Sequence, residues 1–187
     1  RCLLLNEPID ISIVIVNYNV KDFLYQCLQS IQSSTTDLSY EIIVVDNNST
    51  DGSVEFLKSN FQAVNFISLE KNMGFAKANN IGINEAKGKY TLILNPDTIL
   101  QEDTLEIMYN FMESNPDIGC SGCKVLNPDG TFQIACRRGF PTPWASFSKL
   151  FGLQKLFPKS KLFAKYNQTY KSIDETYEID AAIGAFM

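Results

Sequence analysis

The sequence predicts an α/β domain with a mostly parallel central sheet and flanking helices, on three observations. Short apolar, largely β-branched runs alternate four times with stretches whose apolar residues recur at helical spacing. The first run, "ISIVIV", is continuously apolar, as in a strand covered on both faces. Each run ends in a cluster of Asn, Asp, Ser or Gly, the residues of turns.

The elements follow in order. "ISIVIV" (11–16) reads as the first buried strand, and "KDFLYQCLQSIQS" (21–33) as a helix with Phe23, Leu24, Cys27, Leu28 and Ile31 at helical spacing. "EIIVV" (41–45) is a second strand, and residues 51–61 a short helix with Ser49, Thr50 or Asp51 available as N-cap. Residues 63–69 are a third strand, and 75–88 a helix that Gly88 would close. "YTLIL" (90–94) is a fourth strand. Residues 102–114 form a helix with acidic residues in its first turn, where the macrodipole favours them. Beyond residue 115 the pattern changes. "IGCSGCKVL" and "TFQIACR" flank the turn signal "NPDG" and predict a hairpin. Residues 144–170 are aromatic and basic and predict short helices, and "YEIDAAIGAFM" predicts a last strand. The expected organisation is a lead-in over 1–9, a ligand-binding α/β half over 10–125 and a second half from 126 to 187.

Composition narrows the function. The chain has 187 residues, 45% hydrophobic and 20% charged, which suits one soluble globular domain. Its net charge of −5 and its lack of a dense Lys/Arg cluster argue against nucleic acid as a partner. The five cysteines (Cys2, Cys27, Cys120, Cys123 and Cys136) are odd in number and dilute, which predicts reduced thiols and a cytoplasmic location. Cys120 and Cys123 form a C-x-x-C, but the chain has no histidine to complete a zinc site, so both are expected to pack in a buried strand. No apolar run approaches the length of a membrane span. The chain starts on Arg1 and stops inside "AAIGAFM", which leads us to expect that the natural protein continues past Met187.

Ligands of open parallel sheets bind beyond the carboxyl ends of the strands. The residues there are Asn17-Tyr18-Asn19 after the first strand and Asp46-Asn47-Asn48 after the second. Asn72-Met73-Gly74-Phe75-Ala76 follow the third strand and Asn95-Pro96-Asp97 the fourth. The first turn lacks the glycines of a dinucleotide fold, and no G-x-x-x-x-G-K-[ST] loop is present. What remains is a nucleotide site built from side chains. Asp46 can accept hydrogen bonds from a base or ribose, and Tyr18 can pack on a base. Asp97 can hold Mg2+ or Mn2+, which take one or two carboxylates together with substrate phosphate. Turn chemistry alone explains any one of these clusters, but less readily four at consecutive strand tips.

Taken together, "ISIVIVNYN", "IIVVDNNSTDGS", "NMGFAKANNIG", "LILNPDT", "VLNPDGTFQ", "RRGFPT" and "IDAAIGAFM", in this order, resemble glycosyltransferase family 2. Asn-Pro-Asp at the metal position is similar to the rhamnosyltransferase-type branch. The resemblance covers residues 10–187 and implies the nucleotide-diphospho-sugar transferase (GT-A type) fold. It implies an inverting transfer of sugar from a nucleotide-diphosphate donor, UDP- or dTDP-linked, to a hydroxyl of a glycan or lipid-linked acceptor. Cell-surface polysaccharide synthesis at the inner face of the cell membrane is the expected setting. By resemblance, Asp46 contacts the nucleotide, and Tyr18 lines the base pocket with Asn17, Asn19 and Asn48. Asn72, Gly74, Phe75, Ala76 and Asn79 border the donor, and Asp97 with Asn95 takes the place of the family's D-x-D metal motif. Arg137 and Arg138 are candidates for the diphosphate or an anionic acceptor, and Asp180 for the acceptor side. The family's catalytic base falls beyond Met187, so the expectation for these 187 residues is donor binding without turnover. A nucleotidyltransferase would want a Gly- and Lys/Arg-rich loop in place of "NYNVKDF", and a non-catalytic nucleotide-sugar-binding module is the other alternative. Residues 144–170 are a candidate surface for peripheral membrane association.

Overall fold

The computed structural model describes residues 8–181 and 184–187; Cys2, most of the 1–9 lead-in and two residues of the last expected strand lie outside it. The described residues fall into two compact units. The first runs to Ser121 and takes in Gly184–Phe186; the second covers Gly122 to Ala181 with Met187.

The first unit alternates β1 (Ile11–Asn17), α1 (Lys21–Gln32), β2 (Tyr40–Asp46), α2 (Ser53–Asn60), β3 (Asn65–Ser68), α3 (Phe75–Glu85), β4 (Tyr90–Leu94) and α4 (Thr104–Ser114). The four strands are parallel, in the order β3-β2-β1-β4. Every residue of β1 is buried, as its unbroken apolar run requires of a central strand, whereas the edge strand β3 is partly exposed. Each fully buried Ile or Val side chain here contributes about 1.5–3 kcal/mol. The chain steps outward from β1 to β2 and β3, then returns to the other side of β1 as β4. The carboxyl ends of β1 and β4 therefore flank the switch point where such sheets bind ligands.

Several boundaries move for local reasons. In α1 the buried face is Leu24, Cys27, Leu28 and Ile31, while Phe23 turns to solvent. Residue Gly52, at φ 70°, starts α2 two residues late, and Asp51 holds the turn by accepting from the amides of Lys21 and Ser53 at 3.0 Å each. The third helix does not reach Gly88. It ends at Glu85 because the amide of Lys87 donates to Glu41 Oε1 (2.8 Å) and that of Gly88 to Ser12 Oγ (2.8 Å). Gly88 is there for close approach, since a Cβ on it would lie 2.5 Å from the Ser12 amide nitrogen. Glu102 precedes α4, whose first turn keeps only Glu106 as an acid.

In the second unit the "NPDG" turn forms, with the Asn127 amide donating to the Thr131 carbonyl (2.8 Å) and that of Gln133 to Val125 (3.0 Å). The flanking strands do not. Leu126 and Phe132 make a single antiparallel bridge, and Ile134–Cys136 is a short 3-10 helix. The C-x-x-C therefore sits on irregular backbone with Cys120 exposed, not in a buried strand. Two short helices follow, α5 (Pro143–Leu150) and α6 (Leu153–Leu156). Thr142 caps α5, its Oγ1 accepting from the Ala145 amide (3.2 Å), with Pro143 at the first helical position. Instead of a last strand, the described end of the chain makes isolated bridges, one of them between Arg138 and Ala181.

Candidate functional site

The carboxyl edge of the first unit is built from amides and carboxylates locked to one another. Parallel register sets Asn17 beside Asp46 at the ends of β1 and β2. Asn17, 1% exposed, brings its Nδ2 within 2.7 Å of Asp46 Oδ1, 2.7 Å of Ser53 Oγ and 3.1 Å of Ser49 Oγ. Asp46, 3% exposed, also accepts from the Ser49 amide through Oδ2 (3.0 Å). Both of its oxygens are thus engaged inside the protein, and a ligand meets only its remaining lone pairs. Asn19 turns left-handed at φ 54°, and its Oδ1 accepts from the Thr50 amide (2.8 Å).

A second set ties this loop to the turn before α3. Asn47 donates through Nδ2 to Asn72 Oδ1 (2.9 Å) and accepts the Met73 amide on Oδ1 (2.7 Å). Asn72 Oδ1 also accepts the amide of Gly74 (2.9 Å). Gly74 has φ 81° and ψ 162°, a region essentially closed to residues with a Cβ. This frame, buried at Asn17, Asp46 and Asn47, leaves Tyr18, Asn19, Asn48, Asn72, Phe75 and Ala76 exposed. Two acceptors in it, Asn17 Oδ1 and Asn79 Oδ1, are buried and have no protein donor among the described residues. Unmet buried acceptors are uncommon enough to call for a partner such as water or a ligand.

At the tip of β4, residues Asn95 to Thr98 form a tight turn, with the Thr98 amide donating to the Asn95 carbonyl (3.3 Å). The segment ending in Phe186 braces it: Leu94 bridges Phe186, and the Asn95 amide donates to the Ala185 carbonyl (2.9 Å). Asp97 is exposed, and its carboxylate has no hydrogen-bond partner among the described residues. Its charge still reaches inward. Burial, assisted by Asp97, pushes the Cys27 thiol up to about 12. Among the described residues no three His, Cys, Asp or Glu side chains cluster as a metal cage. One open carboxylate beside an Asn fits the other habit, a cation shared between Asp97 and the oxygens of a bound phosphate.

The second unit holds the remaining candidates. Arg137 is not free to meet a diphosphate. It is 5% exposed, with Nη1 donating to the carbonyl of Lys171 (2.8 Å) and to the Tyr177 hydroxyl (3.1 Å), and its guanidinium lies 4.9 Å from the Phe132 ring centroid. Arg138 is half-buried, and its backbone pairs with Ala181. Asp180 is exposed and accepts from the Phe140 amide (3.0 Å).

Asn47, Ser49 and Ser53 belong to the site frame; the sequence marks Asn47 only as a strand-tip residue and Ser49 only as an available N-cap, and gives Ser53 no role. The density of "DNNSTDGS" was the available signal; their partners follow from strand register, which the sequence does not display.

Known proteins resemble this chain in sequence and in fold. The poly(ribitol-phosphate) beta-glucosyltransferase of Bacillus spizizenii is 35% identical over 161 residues, which cover 81% of this chain and 25% of that protein. The chain spans only 25%, 37% and 40% of the length of the first curated relatives it matches. Among solved structures, the mannosyltransferase PcManGT from Pyrobaculum calidifontis, in complex with GDP-Man and Mn2+, aligns with a TM-score of 0.56 and 24% identity. The match covers 64% of this chain and 36% of that one. TarS 1–349 from S. aureus, in complex with UDP-GlcNAc, aligns at 0.52 and 24%, covering 58% and 32%. These likenesses show the GT-A type fold. A family model matches residues 12–177. The chain belongs to glycosyl transferase family 2.

Proposed function

We propose that residues 10–125 are the donor-binding half of an inverting glycosyltransferase that takes a UDP- or dTDP-linked sugar. The observation that supports this best is the hydrogen-bonded frame of Asn17, Asp46, Asn47 and Asn72. It holds the strand tips rigid and leaves Tyr18, Phe75 and Asp97 open. A preformed polar edge lets a nucleotide bind without ordering the loops first. Tyr18 packs on the base, while Asn19, Asn48 and the remaining lone pairs of Asp46 receive its polar edge. Gly74, Phe75, Ala76 and Asn79 border the ribose and diphosphate. Asp97, with Asn95 beside it, would hold Mg2+ or Mn2+ against the diphosphate; the cation supplies charge neutralisation where the leaving group develops its charge. Of the solved fold neighbours named above, one holds GDP-Man with Mn2+ and one UDP-GlcNAc; both are in keeping with a nucleotide-diphosphate sugar, and only the second with a pyrimidine base.

Residues 126–187 begin the acceptor-side half, with Arg138 and Asp180 as its exposed or half-exposed polar groups. The acceptor is a hydroxyl of a glycan or lipid-linked polymer, in cell-surface polysaccharide synthesis at the cytoplasmic face of a membrane. The poly(ribitol-phosphate) specificity in the relative's name is a polymer of that kind. Asn-Pro-Asp at residues 95–97 favours a rhamnosyl or related hexosyl donor. We propose that none of these 187 residues is the base that deprotonates the acceptor. The test is a calorimetric titration with UDP, dTDP and GDP, followed by a search for sugar transfer with the winning donor. We expect saturable binding of a pyrimidine diphosphate and no transfer by the chain alone. Robust transfer would overturn the assignment of the base, and no nucleotide binding would overturn the donor site.

A further inference from the structure

The fifth helix is amphipathic the wrong way round for a soluble protein. Its buried side carries the small residues Ala145 and Ser148, while Trp144, Phe147, Leu150 and Phe151 face solvent, Leu150 at 82% and Phe151 at 63% exposure. The rings are not scattered. Phe151 contacts Phe147 (4.4 Å between centroids), Phe147 stacks on Trp144 (5.6 Å), Trp144 meets Phe163 (6.0 Å) and Phe163 meets Phe157 (5.4 Å). A connected aromatic cluster, exposed at every ring but the half-buried Phe163, marks an interaction surface.

Charge identifies the partner. Although the chain is acidic overall, residues 130–173 carry eight of its sixteen Lys and Arg and none of its twenty-one Asp and Glu. All five lysines between 143 and 166 (Lys149, Lys155, Lys159, Lys161 and Lys165) are exposed and alternate with the rings. Lysine is depleted from the cores of protein–protein interfaces, which argues against a second protein on this face. Rings interleaved with lysines are instead the composition of a segment lying in the headgroup region of an anionic bilayer. We propose that α5, α6 and residues 157–165 dock this protein on an anionic lipid surface. The rings enter at headgroup depth and the lysines meet lipid phosphates. The proposal locates the membrane face suggested above and stands apart from the donor site, because its readout involves no nucleotide.

Trp144 is the chain's single tryptophan, so its fluorescence reports on this surface alone. The experiment mixes the intact chain with vesicles of phosphatidylcholine, with or without phosphatidylglycerol, and records Trp144 emission and co-sedimentation. We expect a blue shift and sedimentation with the phosphatidylglycerol vesicles only, both reversed by high salt. Lys155→Glu with Lys159→Glu, at two exposed positions, should cut partitioning at least about tenfold with emission in buffer unchanged. Phe147→Ser should remove the blue shift. Three results would overturn the proposal: no shift with anionic vesicles, equal and salt-insensitive binding to both kinds, or a shift that follows protein concentration without vesicles, the mark of a second copy.

Discussion

Asn17 connects three parts of the sheet's carboxyl edge through one amide, and its partners include a buried carboxylate. Hydrogen bonds to charged groups contribute about 1.5–3 kcal/mol, and a buried carboxylate that loses one keeps its desolvation cost. Asn17→Ala should therefore destabilise the protein by about 2–3 kcal/mol, lowering Tm in calorimetry by roughly 4–12 °C at this chain length. Cys27 gives a pH prediction. Its thiol ionises near 9.0 when unfolded, but burial and the Asp97 charge hold it protonated to about 12. A folded-state value raised in this way stabilises the native state fully below pH 9 and loses that stabilisation as pH climbs toward 12. Stability of the wild type should fall more steeply over that window than that of Cys27→Ala, as measured by urea melts. At pH 8 a thiol reagent should label the exposed Cys120 and spare Cys27. The open carboxylate of Asp97 was legible in "LILNPDT", because a strand that runs into Asn-Pro-Asp has to expose its turn. The inward engagement of Asp46 was not, since it depends on Asn17 being its exact neighbour across two strands.

Among the elements, α3 shows where local pattern stops being informative. Its start at Phe75 is where the sequence places it, but it ends before Gly88 because Ser12 and Glu41, remote in sequence, capture the amides of Lys87 and Gly88. Gly82 lies where this helix crosses the sheet, and a Cβ there would clash with Val14 Cγ1 and sit 3.2 Å from Val45 Cγ2. Both neighbours are stiff, β-branched and buried, so Gly82→Ala should cost about 1–3 kcal/mol through overpacking. Gly74 is the converse case. A Cβ there meets nothing, but the backbone at φ 81° excludes it. Gly74→Ala should cost about 1–3 kcal/mol in backbone strain and weaken nucleotide binding by moving the loop from Asn72 to Phe75. A melt and a titration on the same sample separate these effects. The strands and helices of the first unit were readable because each carries an apolar run or an apolar face; in β3 that run is only Phe66 and Ile67, between exposed Asn65 and Ser68. The hairpin expected around "NPDG" failed because its flanks, rich in Gly and Cys, offer too little cross-strand packing to extend a ladder beyond one bridge.

Over the whole molecule, the two units differ in what their polar groups do. In the first, the amide network at the strand tips leaves an open edge for a ligand. In the second, the conspicuous Arg137-Arg138 pair is partly consumed by structure, Arg137 being buried against backbone carbonyls, Tyr177 and Phe132. Arg137→Ala should behave as a stability variant of the second unit, costing about 2–4 kcal/mol, because it removes the buried guanidinium that donates to the Lys171 carbonyl and the Tyr177 hydroxyl and lies over Phe132. Among the described residues no helix is long and apolar enough to cross a membrane. The measurement that bears most directly on the donor site is thermal unfolding with UDP or dTDP, each with and without Mn2+ or Mg2+, on wild type and Asp97→Ala. A nucleotide at about 100 times its Kd stabilises by roughly 2.7 kcal/mol, which such a melt resolves. We expect a cation-dependent rise in Tm for the wild type that Asp97→Ala abolishes while its Tm without ligand stays unchanged. No shift with any nucleotide, or an equal shift in Asp97→Ala, would contradict it.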